Sequence, residues 1–328
     1  MNHCASHVSV PSPRPLSRGE RGFYRGRFAP SPTGDLHFGS LLAALTSWLR
    51  ARKAGGAWLV RVEDIDPPRE VPGSADSILR TLRVCALDAD EPPLFQSTRA
   101  ATHAEAFDAL RTAGHLYPCW CSRADLAAHG GLHPHACVAQ PDATRAPAWR
   151  VRVDDAVIEF NDALQGPQRW PLAKTAGDFV VKRADGPFAY QLACAIDDAS
   201  PGITEVVRGA DLLDSTPRQI FLRRLLGLRD PDYLHLPVLV DASGDKLSKS
   251  TGAAAVDTAD PLPAMRTVLG LFDIPREALR ASTPSTLLAD ALAAFDAARL
   301  PRTNTLLMPA VGAWRTHCTA TPPRDFAE

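Results

Sequence analysis

Two short strings hold the residue types that phosphate chemistry uses. The first is HFGS, residues 37–40, at the end of RFAPSPTGDLHFGS. A glycine-punctuated loop there follows a short strand and opens a helix predicted to begin about Gly39. The imidazole of His37 and free backbone N–H groups would then meet at a helix N-terminus, where the dipole favours a phosphate. The second is KLSKS, residues 246–250, which puts Lys246 and Lys249 on a Gly/Asp-rich loop, SGDKLSKS, able to fold back over the same site. Together they predict a nucleotide site. No GxxxxGK[ST] string occurs, so an ordinary P-loop ATPase is excluded.

A second constellation is Cys119 and Cys121 in YPCWCS with His133 and Cys137 in GLHPHAC. Thiolates and imidazole are the ligands zinc prefers, and four of them close a tetrahedral structural site. Cys-x-Cys is tighter than the usual spacing, and His129 and His135 compete for the fourth position. The cysteines number 7, an odd set that predicts thiols or a metal site in a reducing compartment rather than a disulfide framework.

These residues need a frame. Apolar periodicity predicts a strand over 24–28, a helix over 39–53, a strand over 57–63 and a helix over 74–87. Such alternation marks a parallel α/β sheet with ligands at the carboxyl ends of its strands. Residues 116–175 break the rhythm. They are Pro-, His- and Cys-rich and then alternate in VRVDDAVIEF, as an insertion between two halves of a nucleotide-binding fold would. DFVVKRADGPFAYQLACAIDD predicts a hairpin turning at DGP, and the Ala/Leu-rich text from Pro261 predicts two or three amphipathic helices.

With 328 residues, 45% apolar and 22% charged, the composition is that of a globular protein. The net charge of −1 supplies no global basic field, so RNA would have to meet a local patch. Arg218, Arg223, Arg224 and Arg229 form one candidate. The longest apolar run, LLAALTSWL, is about half the roughly 20 residues that span a bilayer. The first 22 residues lack an apolar stretch and are rich in Pro, Ser and Arg, which predicts a disordered extension, not a signal peptide, and a cytoplasmic protein.

HFGS and KLSKS resemble the HIGH and KMSKS signatures of the class I aminoacyl-tRNA synthetases. Their flanks, RFAPSPTG, VRVEDIDPPRE and RGADLLDSTPRQIFLRRLLG, resemble the catalytic core of glutamyl-tRNA synthetase over residues 24–257. EDIDPPRE, the early Cys-x-Cys and the 78 residues that follow Ser250 are similar to a truncated branch of that core, the glutamyl-Q tRNA(Asp) synthetase family. That branch attaches glutamate to queuosine in the anticodon of tRNA(Asp).

The resemblance implies a class I Rossmann-like parallel sheet carrying a zinc-bearing insertion and a C-terminal helical region. The divisions expected are 1–23 (extension), 24–115 (first catalytic half), 116–175 (insertion), 176–257 (second half with the KLSKS loop) and 258–328 (helical region). It implies catalysis by His37, Lys249 and secondarily Lys246, with ATP and Mg²⁺ held about Pro30, Ser31, His37, Gly39, Ser40 and Lys249. Glutamate carries two carboxylates and an ammonium, so its pocket needs two cations and an anion. Arg27 and Arg208 match the carboxylate partners and Glu63 the ammonium partner, with Phe28, Ala29, Pro30, Ser31 and Tyr190 completing the pocket. At the zinc site, His133 stands where the family carries a tyrosine. The partners implied are L-glutamate, ATP and the queuosine-bearing anticodon loop of tRNA(Asp), with no membrane, and the chain is expected to be a monomer. Two other readings compete: a minimal glutamyl-tRNA synthetase charging a tRNA 3′ end, and a non-catalytic glutamate-binding regulator on the same core.

Overall fold

The computed structural model describes residues 23–133, 137–247 and 255–308. The chain opens with strand β1 (Arg25–Phe28), the HFGS loop and helix α1 (Phe38–Lys53). Leu41, Leu45 and Leu49 recur at one helical face and are fully buried. Arg50, Arg52 and Lys53 sit in the last turn, at the negative end of the helix dipole. Gly55, at φ +65, turns the chain into β2 (Ala57–Val62). At Gly56 a Cβ would lie 2.4 Å from the Tyr24 carbonyl, so only glycine fits where the two strands begin to pair. All six β2 residues are buried, as expected of a central parallel strand.

Next come α2 (Ser74–Val84), β3 (Leu94–Phe95) and α3 (Ala100–Thr112). Helix α2 stops short of the predicted 87 because Ala86 takes a left-handed φ of 56. The stretch expected as an insertion holds β4 (Leu116–Cys119), α4 (Arg123–Ala127), β5 (Ala148–Val151), β6 (Val157–Asp162), β7 (Gly166–Pro171) and α5 (Leu172–Thr175). Then follow β8 (Val180–Lys182), α6 (Tyr190–Ala199), β9 (Glu205–Gly209), α7 (Ser215–Leu225), β10 (Asp232–Leu236) and β11 (Val238–Val240). The last described elements are α8 (Leu262–Leu269), α9 (Pro284–Ala294) and β12 (Thr305–Leu307), the last pairing with β11.

The main sheet has seven strands in the order β3-β2-β1-β9-β10-β6-β7, parallel except for the β6–β7 hairpin. Its order reverses between β1 and β9, the topological switch point at which open α/β sheets bind ligands. VRVDDAVIEF does not form one strand. Asp154, at φ 45, breaks it, so that β5 joins a separate sheet, β4-β5-β8, while β6 pairs with β10 of the main sheet. The predicted hairpin at DGP is present as a bridge between Lys182 and Phe188. Tyr190 beyond it opens helix α6 rather than lying in a strand.

Side-chain alternation along the strands decides what faces where. Phe28, Val60, Val207 and Leu236 join the core beneath α1, α8 and α9. Arg27, Arg61, Arg208 and His235 are their immediate neighbours in sequence and point to the opposite face, which α6 and α7 cover. Four polar residues thus converge on one face at the carboxyl ends of four adjacent parallel strands.

Candidate active site at the strand carboxyl ends

A cleft of about 700 Å³ opens at the switch point. Its wall includes Arg27, Phe28, Ala29, Pro30 and Ser31 from β1 and the loop after it. His37, Gly39, Ser40, Glu63, Tyr190 and Arg208 line it too, with Lys246 at the mouth. The described residues therefore bring together all the expected amino-acid and nucleotide residues except Lys249, which lies outside them.

His37 is the N-cap of α1. Its Nδ1 accepts from the backbone N–H groups of Gly39 at 3.1 Å and Ser40 at 3.4 Å. The sequence predicts these two N–H groups to be free for a phosphate; in the structure the His37 cap takes both. The consequence is a defined tautomer: with Nδ1 accepting, the proton sits on Nε2, 3.2 Å from Ser40 Oγ at the cleft. The glycine of HFGS has a steric reason, because a Cβ at Gly39 would stand 3.1 Å from His37 Cε1.

The KLSKS loop leaves from Leu247, which lines the cleft, and the chain returns at Ala255, which bridges to His37, while Val256 N–H bonds the Leu36 carbonyl at 2.9 Å. Both ends of the loop are thus tied to the cleft. Lys246 pairs with Asp211 at 2.5 Å, beyond the end of β9.

The amino-acid side is a buried charge network. Arg27 Nε bonds Asp198 Oδ1 at 2.9 Å, and Arg27 Nη1 bonds the Val207 carbonyl. Arg61 spans Asp198 at 2.6 Å and Glu63 at 3.0 Å. Burial raises the cost of charge on Asp198, yet the two guanidiniums outweigh it and hold its carboxyl well below the usual range. The Cys194 thiol, pushed well up by burial and by Glu63, keeps its proton and donates to Glu63 Oε1 at 3.2 Å. Both bonds to Glu63 fall on Oε1, which leaves Oε2 for a ligand. Burial likewise pushes Tyr190 well up, so its phenol remains an O–H donor. Arg208 is held by Gln219 at 2.9 Å, Thr216 at 2.7 Å and His235 at 3.1 Å.

Arg61, Asp198, Cys194 and His235 are not among the site residues the sequence singles out. The available signal was polarity out of place: a charged or imidazole side chain at an alternate position of an otherwise apolar strand, or an aspartate inside a buried helix.

The second site lies at the tip of β4. Ligand atoms of Cys119, Cys121, His133 and Cys137 all lie within 4.8 Å of one another. Tyr117 Oη donates to Asp178 at 2.7 Å and so accepts from His133 Nδ1 at 3.1 Å. That turns the Nε2 lone pair of His133 toward Cys119 Sγ, 3.2 Å away. Arg150 Nε–H donates to Cys119 Sγ and Ala139 N–H to Cys121 Sγ; against burial, the backbone N–H bonds hold the Cys121 thiol below its ordinary value. Three sulfurs and one imidazole in this compass are compatible with tetrahedral zinc. His129 is not in the cluster, and His135 lies outside the described residues.

The candidate RNA patch loses one member. Arg223 is 3% exposed and bonds the carbonyls of Ala195 and Arg229, which makes it part of the α7 packing. Arg224 is paired with Asp230. Among the described residues no helix is long and apolar enough to cross a membrane.

Comparison with known proteins agrees with this geometry. The family model for the catalytic domain of class I tRNA synthetases (E and Q) matches residues 24–145 and 131–272. A glutamyl-Q tRNA(Asp) synthetase of Burkholderia cenocepacia is 56% identical over 255 residues, covering 74% of this chain and 86% of the relative. One of Xanthomonas oryzae pv. oryzae is 54% identical over 280 residues, covering 85% and 93%. The fold matches that of a glutamate tRNA ligase from Elizabethkingia meningosepticum, solved in complex with its amino acid, with a TM-score of 0.75 at 24% identity over 88% of this chain and 67% of the other. With motif, topology and relatives in agreement, the chain belongs to the glutamyl-Q tRNA(Asp) synthetase family of class I tRNA synthetases.

Proposed function

We propose that the chain condenses L-glutamate with MgATP to give glutamyl-adenylate and pyrophosphate, then passes the glutamyl group to queuosine in the anticodon loop of tRNA(Asp). The observation that carries this is charge complementarity. In the buried network on the amino-acid side, Arg27, Arg61 and Arg208 against Glu63 and Asp198 leave one positive charge in excess, and L-glutamate carries one negative charge. Glutamine, which is neutral, would leave that excess unmatched.

Glu63 Oε2 takes the ammonium, while Arg208, Arg27 and the neutral Tyr190 phenol receive the carboxylates. A carboxylate oxygen attacks the α-phosphorus, the O–P bond forms in line, and pyrophosphate leaves. His37 Nε2–H, Lys249 and Lys246 meet the charge that builds on the phosphate oxygens, which is where a positioned donor lowers the barrier. In the second step a hydroxyl of the queuosine cyclopentene diol, a mimic of a ribose cis-diol, bonds to the glutamyl carbonyl carbon and AMP departs.

Cys119, Cys121, His133 and Cys137 would hold one structural zinc ion. All four ligands come from the protein, so its role is to fix the tip of β4 and the loop beyond it. We infer that the chain acts as a monomer and place it in the cytoplasm with its tRNA. ATP–pyrophosphate exchange tests the first step: glutamate alone, without tRNA, should support exchange and glutamine should not. A regulator that only binds glutamate would give no exchange.

A further inference from the structure

Arg208 reaches the cleft with its guanidinium already fixed in plane. Three of its five N–H groups are committed: Nε to His235 Nε2 at 3.1 Å, Nη1 to Gln219 at 2.9 Å and Nη2 to Thr216 at 2.7 Å. One N–H remains on each terminal nitrogen, the pair a carboxylate accepts bidentately. His235 stands beside Arg208 in the β9–β10 register and is fully buried. Its Nδ1 lies 2.6 Å from Oδ2 of Asp162, the last residue of β6. Asp162 is itself pinned, because its Oδ1 accepts the backbone N–H groups of Leu164 at 3.0 Å and Gln165 at 2.9 Å.

Donor chemistry fixes the ring. Arginine offers only donors, so His235 Nε2 must accept, and the single imidazole proton lies on Nδ1 toward Asp162. A proton on both nitrogens would set an imidazolium against a guanidinium. Burial, opposed by the Asp162 bond and aided by the Arg208 charge, holds His235 down to about 4 and keeps it neutral. Packing gives no reason for this arrangement, since apolar residues of the same volume often replace a buried polar pair at no loss of stability.

We propose that Asp162 and His235 are positioning residues of the amino-acid site, which hold the Arg208 guanidinium in the plane where it grips a substrate carboxylate. The affinity for glutamate is then set in part by β6, a strand from the same stretch as the cysteine cluster. This rests on the reading of Arg208 as a glutamate partner.

Glutamate-dependent ATP–pyrophosphate exchange tests it. His235→Ala should raise KM for glutamate about 10- to 100-fold, the factor carried by one charge-assisted hydrogen bond, with kcat changed much less. His235→Gln, which can offer an amide oxygen where Nε2 accepted, should restore most of the affinity. The double variant Arg208→Ala/His235→Ala should be no worse than Arg208→Ala, because His235 acts through Arg208. A raised KM in Arg208→Ala beside a wild-type KM in His235→Ala, or additive losses in the double variant, would overturn the positioning role alone. A wild-type KM in Arg208→Ala would overturn the reading of Arg208 and this inference with it. Nitrogen NMR of the intact ¹⁵N-histidine-labelled protein needs no variant: near neutral pH it should show His235 protonated on Nδ1 only, and an Nε2–H or doubly protonated ring refutes the proposal.

Discussion

Gly39→Ala separates the two duties of His37, capping a helix and facing a phosphate. The added methyl would stand 3.1 Å from His37 Cε1 and 3.3 Å from Nδ1, so the ring must give way by a few tenths of an ångström. Two stability effects then oppose each other. Alanine in place of a helical glycine gains about 0.5–1 kcal/mol, whereas a weakened N-cap loses a comparable part of its roughly 1 kcal/mol. The melting temperature should therefore move by no more than about 2 °C. Catalysis has no such compensation. A displacement of about 1 Å can cost on the order of a hundredfold in rate, so a few tenths should cost roughly 3- to 10-fold in kcat for ATP–pyrophosphate exchange. KM for glutamate should hold, because Arg208 and Arg27 lie on strands, and Glu63 just past the end of one, that the methyl does not touch. A folded Gly39→Ala enzyme with a wild-type exchange rate would show that the position of His37 does not govern the chemistry.

Lys249→Ala should lower adenylate formation by on the order of a hundredfold with little change in glutamate affinity, whereas Arg208→Ala should act chiefly on KM; one kinetic pattern for both would contradict the division of roles. Metal analysis should find about one zinc per chain, and Cys121→Ser should lose it together with thermal stability; a metal-free protein equally stable and active rules the zinc site out. His235 sits at about 4 in the folded protein against 6.5 as its ordinary value. The unfolded chain therefore binds the extra proton between those values, and stability present above about pH 6.5 falls as pH drops toward 4, by roughly 2 kcal/mol at about pH 5. Denaturant melts at about pH 7.5 and about pH 5 should show that loss, and His235→Gln should lack it; identical slopes for the two proteins would count against a neutral buried imidazole.

The frame of the site was legible because β1, α1 and β2 announce themselves by period, and their ends fall within a residue or two of expectation. His37, Gly39 and Ser40 of HFGS line the same cleft as Lys246 and Leu247, the described part of KLSKS. Arg61 and His235 were not found, because a polar residue in an apolar strand gains its meaning from the strand beside it. Asp198 meets Arg27 across 171 residues of sequence, a pairing no local pattern encodes. VRVDDAVIEF reads as one alternating stretch, and nothing in it tells that Asp154 turns left-handed and sends its two halves to different sheets. The tautomer of His37 was hidden as well, since it depends on which N–H groups the ring itself caps.

The most direct measurement concerns where the glutamate goes. Labelled glutamate, ATP and the enzyme are incubated with tRNA(Asp) from cells that make queuosine and from cells that do not, and the labelled nucleoside is isolated after digestion. The expected result is label on queuosine of the first pool alone. Equal labelling of both pools, or label on the 3′-terminal adenosine, would contradict it and identify the chain as a minimal synthetase that charges a tRNA end.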